Sequence, residues 1–378
     1  MNLKHKIFYW SPFLVPIATP KAVVNSAKAL QNYGKNYQCF IINFFGEFNS
    51  FQQDLKIKNI KLINFFNGKL IHFLPKHGKL QSRFSFILIF ILSFLPLKRL
   101  LTNHKPDYLI VQLITSLPMV LILFFNFKTK FILRISGLPR INFFRKLLWK
   151  IALKKFYLVT CPTKATFDYI KNLKIIEEDK IKLLYDPIID VKSINLKKKQ
   201  INYNKIENYY LAAGRLTKQK NFLFLCRAFH RVVIKHPELK LIIAGEGEDK
   251  NLILSYIEKN KLKKNIFLIG YVDNIFPLMM KAEAFILSSL WEDPGFVLIE
   301  AAFCRTLVLS SNCETGPKEI IKDNINGILF ESNNLESFID KFTLLVSKKN
   351  KKSLLLKNLI NSKKFSQFMH YKNFKKIL

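Results

Sequence analysis

Short apolar runs rich in β-forming residues alternate with longer helical stretches along almost the whole chain, and that alternation leaves few folds open. Candidate strands in the first half are Ile7–Tyr9, Cys39–Asn43, Tyr108–Leu113, Phe131–Ile135 and Tyr157–Thr160, with helices such as Ala22–Tyr33 and Arg140–Lys155 between them. In the second half strands are expected at Tyr209–Ala213, Leu239–Ala244, Ile266–Ile269, Ala284–Leu287, Leu307–Ser310 and Gly327–Phe330. Helices Asn221–Lys235, Leu252–Asn260, Ile275–Lys281 and Phe296–Phe303 fall between them. Strand–helix–strand units build a parallel sheet with helices on its faces. The expectation is an α/β protein of two doubly wound, Rossmann-like domains facing a ligand cleft.

A chain of 378 residues is long enough for two such domains. The polar stretch Asn195–Asn202 reads as the connector, which divides the chain into residues 1–190 and 191–360. Residues 361–378 read as a helical segment returning to the first domain. The Tyr108–Phe127 stretch carries 20 uncharged residues, enough to span a bilayer, but Gln112, Thr115, Ser116, Pro118 and Asn126 interrupt it. It reads as a buried strand running into a helix that opens near Pro118. Phe84–Leu97 is uncharged for only 14 residues, short of a span. The N-terminus reads as a first buried strand without a clear cleavage site, not as a signal peptide.

The net charge is +35 and uneven. Residues 1–176 carry 27 Lys and Arg against four acids, and the remainder carries 34 against 22. A basic first half attracts anionic partners: headgroups, a lipid diphosphate or nucleic acid. Abundant Lys, Asn, Ile and Phe inflate the total, but composition does not explain the asymmetry. No nucleic-acid motif accompanies the charge, which argues against that class. Five scattered cysteines form no CxxC pair, which argues against zinc and a disulfide framework and for a reducing compartment.

Four blocks carry the chemistry. Strand Tyr209–Ala213 delivers Gly214 and Arg215, with Lys220 just before a helix, so two cations and helix-start amides can surround a diphosphate. A solvated loop would show the same pair. Gly245 and Gly247 follow the next strand, where glycine permits close backbone approach to a ribose, though such turns are common. Gly270-Tyr271 ends a third strand and offers backbone groups to a base edge. The most specific block joins Glu292 and Glu300 across a Pro294-Gly295 turn. Glu300 interrupts the apolar run Val297–Ala302, where a carboxylate needs a partner. A ribose diol would serve, and so would a neighbouring lysine.

In order and spacing these blocks, with Thr315-Gly316-Pro317, resemble the retaining glycosyltransferases of family 4, which have the GT-B fold. The likeness is strong over roughly residues 155–340 and looser before them. It implies an acceptor-binding first domain and a nucleotide-sugar-binding second one. It also implies that Arg215 and Lys220 clamp the diphosphate, and that Glu292 meets the donor sugar beside the amides of Gly295, Phe296, Val297 and Leu298. Glu300 would hold the ribose, with Gly214, Gly245, Gly247 and Tyr271 completing the donor site. Retention would proceed by front-face attack, the donor's phosphate helping to take the acceptor proton. No Asp-x-Asp pair is present, so neither a metal nor another cofactor is expected.

Two departures fall on the acceptor side. Ile17–Lys21 lacks the family's Gly-Gly turn, and Ser136 stands near the usual His, with Arg134 beside it as a further acceptor-side candidate. The implied activity moves a hexose or N-acetylhexosamine from UDP, or alternatively GDP, to a lipid-linked or surface glycan. The implied place is the cytoplasmic face of the plasma membrane, and the implied pathways are polysaccharide or lipopolysaccharide synthesis. The rivals are a GT-B sugar-nucleotide epimerase and a degenerate, membrane-surface binding protein. In Arg140–Tyr157, the apolar stripe Phe143, Phe144, Leu147, Leu148 and Ile151 is expected to pack on its own sheet. Lys146, Lys150 and Lys154 would then face water or headgroups, with Trp149 suited to the bilayer surface.

Overall fold

The computed structural model describes residues 4–14, 18–66, 79–139, 141–200, 206–347 and 351–378. Its contacts divide the chain into two units: Met1–Ile188 with Gln367–Leu378, and Ile189–Ser366.

The strands of the first unit are β1 (His5–Trp10), β2 (Tyr37–Asn43), β3 (Lys61–Asn64), β4 (Tyr108–Val111), β5 (Lys130–Arg134), β6 (Leu158–Cys161) and β7 (Ile181–Leu183). Among the described residues they form one parallel sheet in the order β3-β2-β1-β4-β5-β6-β7. Successive side chains of a strand point to opposite faces, so a sheet covered on both sides needs apolar residues at every position. β1 shows this directly: Ile7 and Tyr9 join one core, Phe8 and Trp10 the other. β3 was not anticipated, because its residues Lys61-Leu62-Ile63-Asn64 lie on the sheet edge and none is buried.

Tyr108–Phe127 resolves into β4 and a helix, Ser116–Phe124, as the interrupting polar residues implied. The Phe84–Leu97 stretch behaves differently from expectation. It lies inside a 26-residue helix, Lys79–His104, that continues through Lys98 and Arg99. Counting uncharged residues underestimated it, since cations do not end a helix: Arg99 is exposed and Lys98 lies over the Phe125 ring. Its portion Phe84–His104 is long and apolar enough by length and composition to cross a membrane, and a third of its most apolar window is buried.

The helix Phe143–Lys154 is opened by Asn142, whose side chain accepts from the Arg145 amide; Arg140 lies outside the described residues. Its packing corrects the sequence reading. Trp149, Ala152 and Leu153 face inward, while Phe143, Phe144, Leu147, Leu148 and Ile151 are exposed. The stripe expected against the sheet is the outer one, and Trp149 packs inside with the Arg145 guanidinium over its ring.

The C-terminal helix Gln367–Ile377 packs on Ala18–Tyr33 within the first unit. His370 fastens it. Its Nδ1 donates to the Tyr185 carbonyl at 2.8 Å, so its Nε2 accepts from the Ser26 hydroxyl at 2.8 Å. The Tyr9 hydroxyl stands 3.0 Å from Ser26 Oγ.

The second unit carries β8 (Tyr209–Ala213), β9 (Lys240–Ala244), β10 (Ile266–Gly270), β11 (Ala284–Leu287), β12 (Leu307–Ser311) and β13 (Ile328–Phe330). They are parallel in the order β10-β9-β8-β11-β12-β13. This is the doubly wound order 3-2-1-4-5-6, with its switch point between β8 and β11. The stretch read as a connector begins inside a helix, Val191–Lys198, because Asp190 caps it and Ile194 is buried beneath it. Ile201 and Asn202 lie outside the described residues.

Candidate active site

The site of the second unit grows from the two loops that flank its switch point. The buried strand β8 delivers Gly214, and Leu216, fully buried, anchors the loop that follows. The loop turns over Thr217–Lys220, where the Lys220 amide donates to the Thr217 carbonyl at 2.9 Å. Asn221, in the left-handed region, starts the helix Phe222–Lys235. No acid stands in its first turn, so its positive end is uncompensated by charge.

The loop after β9 lies directly across this one. Gly214 N–H donates to Ala244 O at 3.0 Å, Leu216 N–H to Glu246 O at 2.9 Å, and Asp249 N–H to Leu216 O at 2.9 Å. A Cβ on Gly245 would stand 1.8 Å from the Gly214 carbonyl oxygen, and one on Gly247 would stand 2.3 Å from that of Leu216. The close approach these glycines permit is therefore to the neighbouring loop, which they press into place.

The loop after β11 is tied to the first from the other side. Ser288 Oγ donates to the Lys220 carbonyl at 2.8 Å, Leu290 N–H to Gln219 O at 2.8 Å, and Gln219 Nε2 to Trp291 O at 2.9 Å. These bonds bring Lys220 Nζ onto Glu292 Oε1, an ion pair whose side chains are 13% and 5% exposed. Ser289 Oγ donates to the same Oε1 at 2.6 Å, and Thr315 Oγ1 donates to the Glu292 carbonyl. Ser311 Oγ in turn donates to Ser289 O at 2.6 Å. A carboxylate this buried is tolerable only with such partners. Gly295, at φ 100°, turns the chain into the helix Phe296–Phe303.

Glu300 lies on that helix, which is buried over nearly every residue, Phe296 and Leu298 included; Val297 is partly exposed. Burial pushes the Cys304 thiol up to about 12, with Glu300 adding to the rise and Lys198 opposing it. Burial, then Glu292, pushes Cys313 likewise up to about 12. Both thiols are protonated and unreactive at neutral pH. Arg215 is exposed, its Nη2 3.5 Å from Gln219 Oε1, and Tyr271 is exposed after β10.

Sequence reasoning overlooked Ser288, Ser289 and Ser311. Their signal was available: paired serines at the carboxyl ends of two adjoining apolar strands, β11 and β12. No group of three or more His, Cys, Asp or Glu is placed to hold a metal ion among the described residues.

In the first unit, Arg134 ends β5 and faces Asp186. Nε donates to Oδ1 at 2.8 Å and Nη2 to Oδ2, with both side chains buried. The pair lines a small cavity of about 20 Å³ with Gln112, Thr160 and His370. That is room for about one water. Ser136 is exposed in the loop beyond. Of Ile17–Lys21, Ile17 lies outside the described residues, and Ala18–Lys21 open the helix Ala18–Tyr33.

An ion pair at a switch point, flanked by glycine turns, is what this doubly wound unit presents at the carboxyl ends of its strands. Residues 193–362 match the family model of glycosyl transferases group 1. A glycosyltransferase of Methanocaldococcus jannaschii is 32% identical over 253 residues, covering 60% of this chain and 61% of that protein. The Escherichia coli UDP-Gal:alpha-D-GlcNAc-diphosphoundecaprenol alpha-1,3-galactosyltransferase is 30% identical over 149 residues, 39% of this chain and 38% of its own. The matches thus span less than two thirds of these relatives. In fold the likeness extends end to end. A glycosyltransferase from Rickettsia africae superposes with a TM-score of 0.77 at 18% identity, covering 99% of this chain and 98% of that one. The two Rossmann-like units are those of the GT-B fold.

Proposed function

We propose that the protein transfers a hexose or N-acetylhexosamine, with retention of anomeric configuration, from a nucleotide sugar to a lipid-linked or surface-glycan acceptor in polysaccharide synthesis. The observation that carries this reading is the Lys220–Glu292 pair, held by Ser289 at the switch point between glycine turns. A diphosphate arriving there competes with Glu292 for the Lys220 ammonium, and Glu292 is released toward the sugar hydroxyls. Arg215, exposed one residue past Gly214, supplies the second cation. Lys220 and Arg215 meet the charge that grows on the leaving diphosphate, a preorganised electrostatic role. They do so without a metal, and the departing phosphate takes the acceptor proton. Glu300 binds the ribose diol.

UDP is the carrier of first choice. In support, the E. coli relative's name records UDP-Gal, a diphosphoundecaprenol acceptor and an α linkage. The basic first half, with 27 Lys and Arg against four acids over residues 1–176, suits the anionic cytoplasmic face of a plasma membrane.

A thermal-shift panel of UDP, GDP, ADP and their sugars tests the donor site. UDP and one UDP-sugar should raise the melting temperature of the wild type and leave Glu300→Ala unmoved, since a ligand of the native state stabilises it by mass action. The reading is wrong if no nucleotide diphosphate shifts the wild type. NMR of the released glycoside should show the donor's own anomeric configuration, and activity should survive EDTA.

A further inference from the structure

Helix Lys79–His104 is turned inside out. Between Phe84 and Leu97 its only polar side chains are Ser85 and Ser93, and both are fully buried. Ser85, Ile89, Ser93 and Leu97 recur every fourth residue and form the inward face. Ile87, Ile91 and Leu95 recur the same way on the opposite side and are 59%, 63% and 55% exposed. A helix bathed in water shows the reverse arrangement. The helix Phe143–Lys154 repeats the anomaly, with five large apolar side chains outward. Two helices that each carry several large exposed apolar side chains mark this unit as one with a binding face.

Between the two helices runs a groove of about 510 Å³. It is an open depression, so a bound chain would lie along the surface. Phe86, Ile87 and Phe90 form one wall, Ile114–Ser116 the floor, and Arg145 the far side. The floor residues begin three positions beyond the end of β4, so the groove opens at the carboxyl end of a strand flanking the switch point β1/β4 of this sheet. Sheets of this kind bind their ligands there. The lining is thus a hydrocarbon wall with one guanidinium, next to Lys146, Lys150 and Lys154 on the same helix and all exposed. An apolar chain ending in a phosphate matches it. The guanidinium fork takes two phosphate oxygens in parallel, and the chain lies along Phe86, Ile87 and Phe90.

We infer that this groove is the seat for the hydrocarbon chain and first phosphate of a lipid-linked acceptor. The inference rests on the acceptor being lipid-linked, as proposed above. Calorimetric titration of the full chain with monomeric farnesyl phosphate tests it, with farnesol, anionic phosphatidylglycerol vesicles and UDP as the other arms. Farnesyl phosphate should bind the wild type at least tenfold more tightly than Ile87→Asp, whose side chain lies at the surface. Arg145→Glu should lose at least tenfold for farnesyl phosphate and nothing for farnesol. UDP should bind all three proteins equally.

Equal binding of farnesol and farnesyl phosphate by the wild type would overturn the role of Arg145. Binding to vesicles without binding to monomeric farnesyl phosphate would overturn the groove and make the face a bilayer contact. If UDP binds and farnesyl phosphate does not, the groove alone fails. If UDP does not bind, the functional reading fails first.

Discussion

The two units share the strand order of their first six strands, and each holds a buried ion pair at the carboxyl ends of its strands, yet the pairs are built differently. Arg134–Asp186 is bidentate, a rigid fork on both carboxylate oxygens, sealed beside a cavity that holds no more than about one water. Lys220–Glu292 is a point charge on a single oxygen, shared with a serine hydroxyl and flanked by glycine turns. Lysine rotates on a flexible stem and gives up one contact to change partner; arginine in a fork gives up two. The first pair fixes a fold; the second is the one that, in the proposed function, exchanges partners. Arg134 stands as an acceptor-side candidate where the chain departs from the family pattern, and its geometry gives it a buried structural partner in Asp186.

That contrast is broken most directly at its sealed half. Arg134→Met leaves Asp186 buried without its fork, which should cost about 3–5 kcal/mol of first-unit stability, read from the urea midpoint. The double variant Arg134→Met/Asp186→Leu should recover most of it, because the burial of a lone charge is what destabilises. If both variants are equally unstable, the pair is more than a structural clasp.

At the exchangeable half the expected loss is in rate. Lys220→Ala should lower kcat by about 10²–10³-fold, the usual effect of removing one preorganised donor to a developing charge. The second unit should lose less stability than Arg134→Met costs the first, since Glu292 keeps the Ser289 hydroxyl and the less buried Lys220 position admits water. A large stability loss with intact kcat would invert the comparison between the pairs.

The second unit's loops also owe their position to glycine. Gly245→Ala places a Cβ against the Gly214 backbone, which cannot yield as a side chain can. The strain should cost about 1–3 kcal/mol and displace Lys220 along with Gly214. Calorimetric UDP affinity, weakened by this variant and unchanged by Gly137→Ala in the first unit, would tie the loop contact to the site.

How much of this could be read from residues differs between the same two regions. In the second unit the strands, the glycines and the Glu292–Glu300 spacing announce themselves, because each follows from local chain geometry: period-two apolar runs, turns that only glycine permits, an acid in an apolar helix. The paired serines are visible in the sequence at two strand ends, but their joining under Glu292 is not, since Ser289, Ser311 and Thr315 come together only through the adjacency of β11 and β12. In the first unit the apolar periodicity of Phe143–Lys154 was read correctly as a stripe and placed on the wrong side. Periodicity says that a helix has an apolar face; it does not say whether protein or lipid covers it. The same ambiguity hid the reversed polarity of Lys79–His104, where a count of uncharged residues concealed that the serines face inward.

The smallest effect expected concerns the C-terminal helix. His370 is neutral in the folded unit, because burial lowers its pKa. The Tyr185 carbonyl and the nearby Asp186 carboxylate oppose that fall, and the Arg134 guanidinium adds to it. Its remaining neighbours, the Ser26 and Tyr9 hydroxyls, form a chain that ends on its Nε2. Below about pH 6.5, the ordinary histidine value, the unfolded chain takes up a proton that the folded one refuses. The contribution of His370 is therefore complete above that pH and is lost as pH falls. Glu47 works in the opposite sense. Burial raises its pKa from 4.5 to about 7, so it contributes stability at acid pH that is lost as pH rises through that window. The two slopes overlap, so the wild-type profile alone is uninformative, and the difference between proteins is the measurement. Hydrogen exchange of the Gln367–Ile377 amides in wild type and His370→Gln should show a deficit for the variant at pH 7.5 that shrinks at pH 5.5. A deficit independent of pH would mean that His370 holds the helix by packing alone.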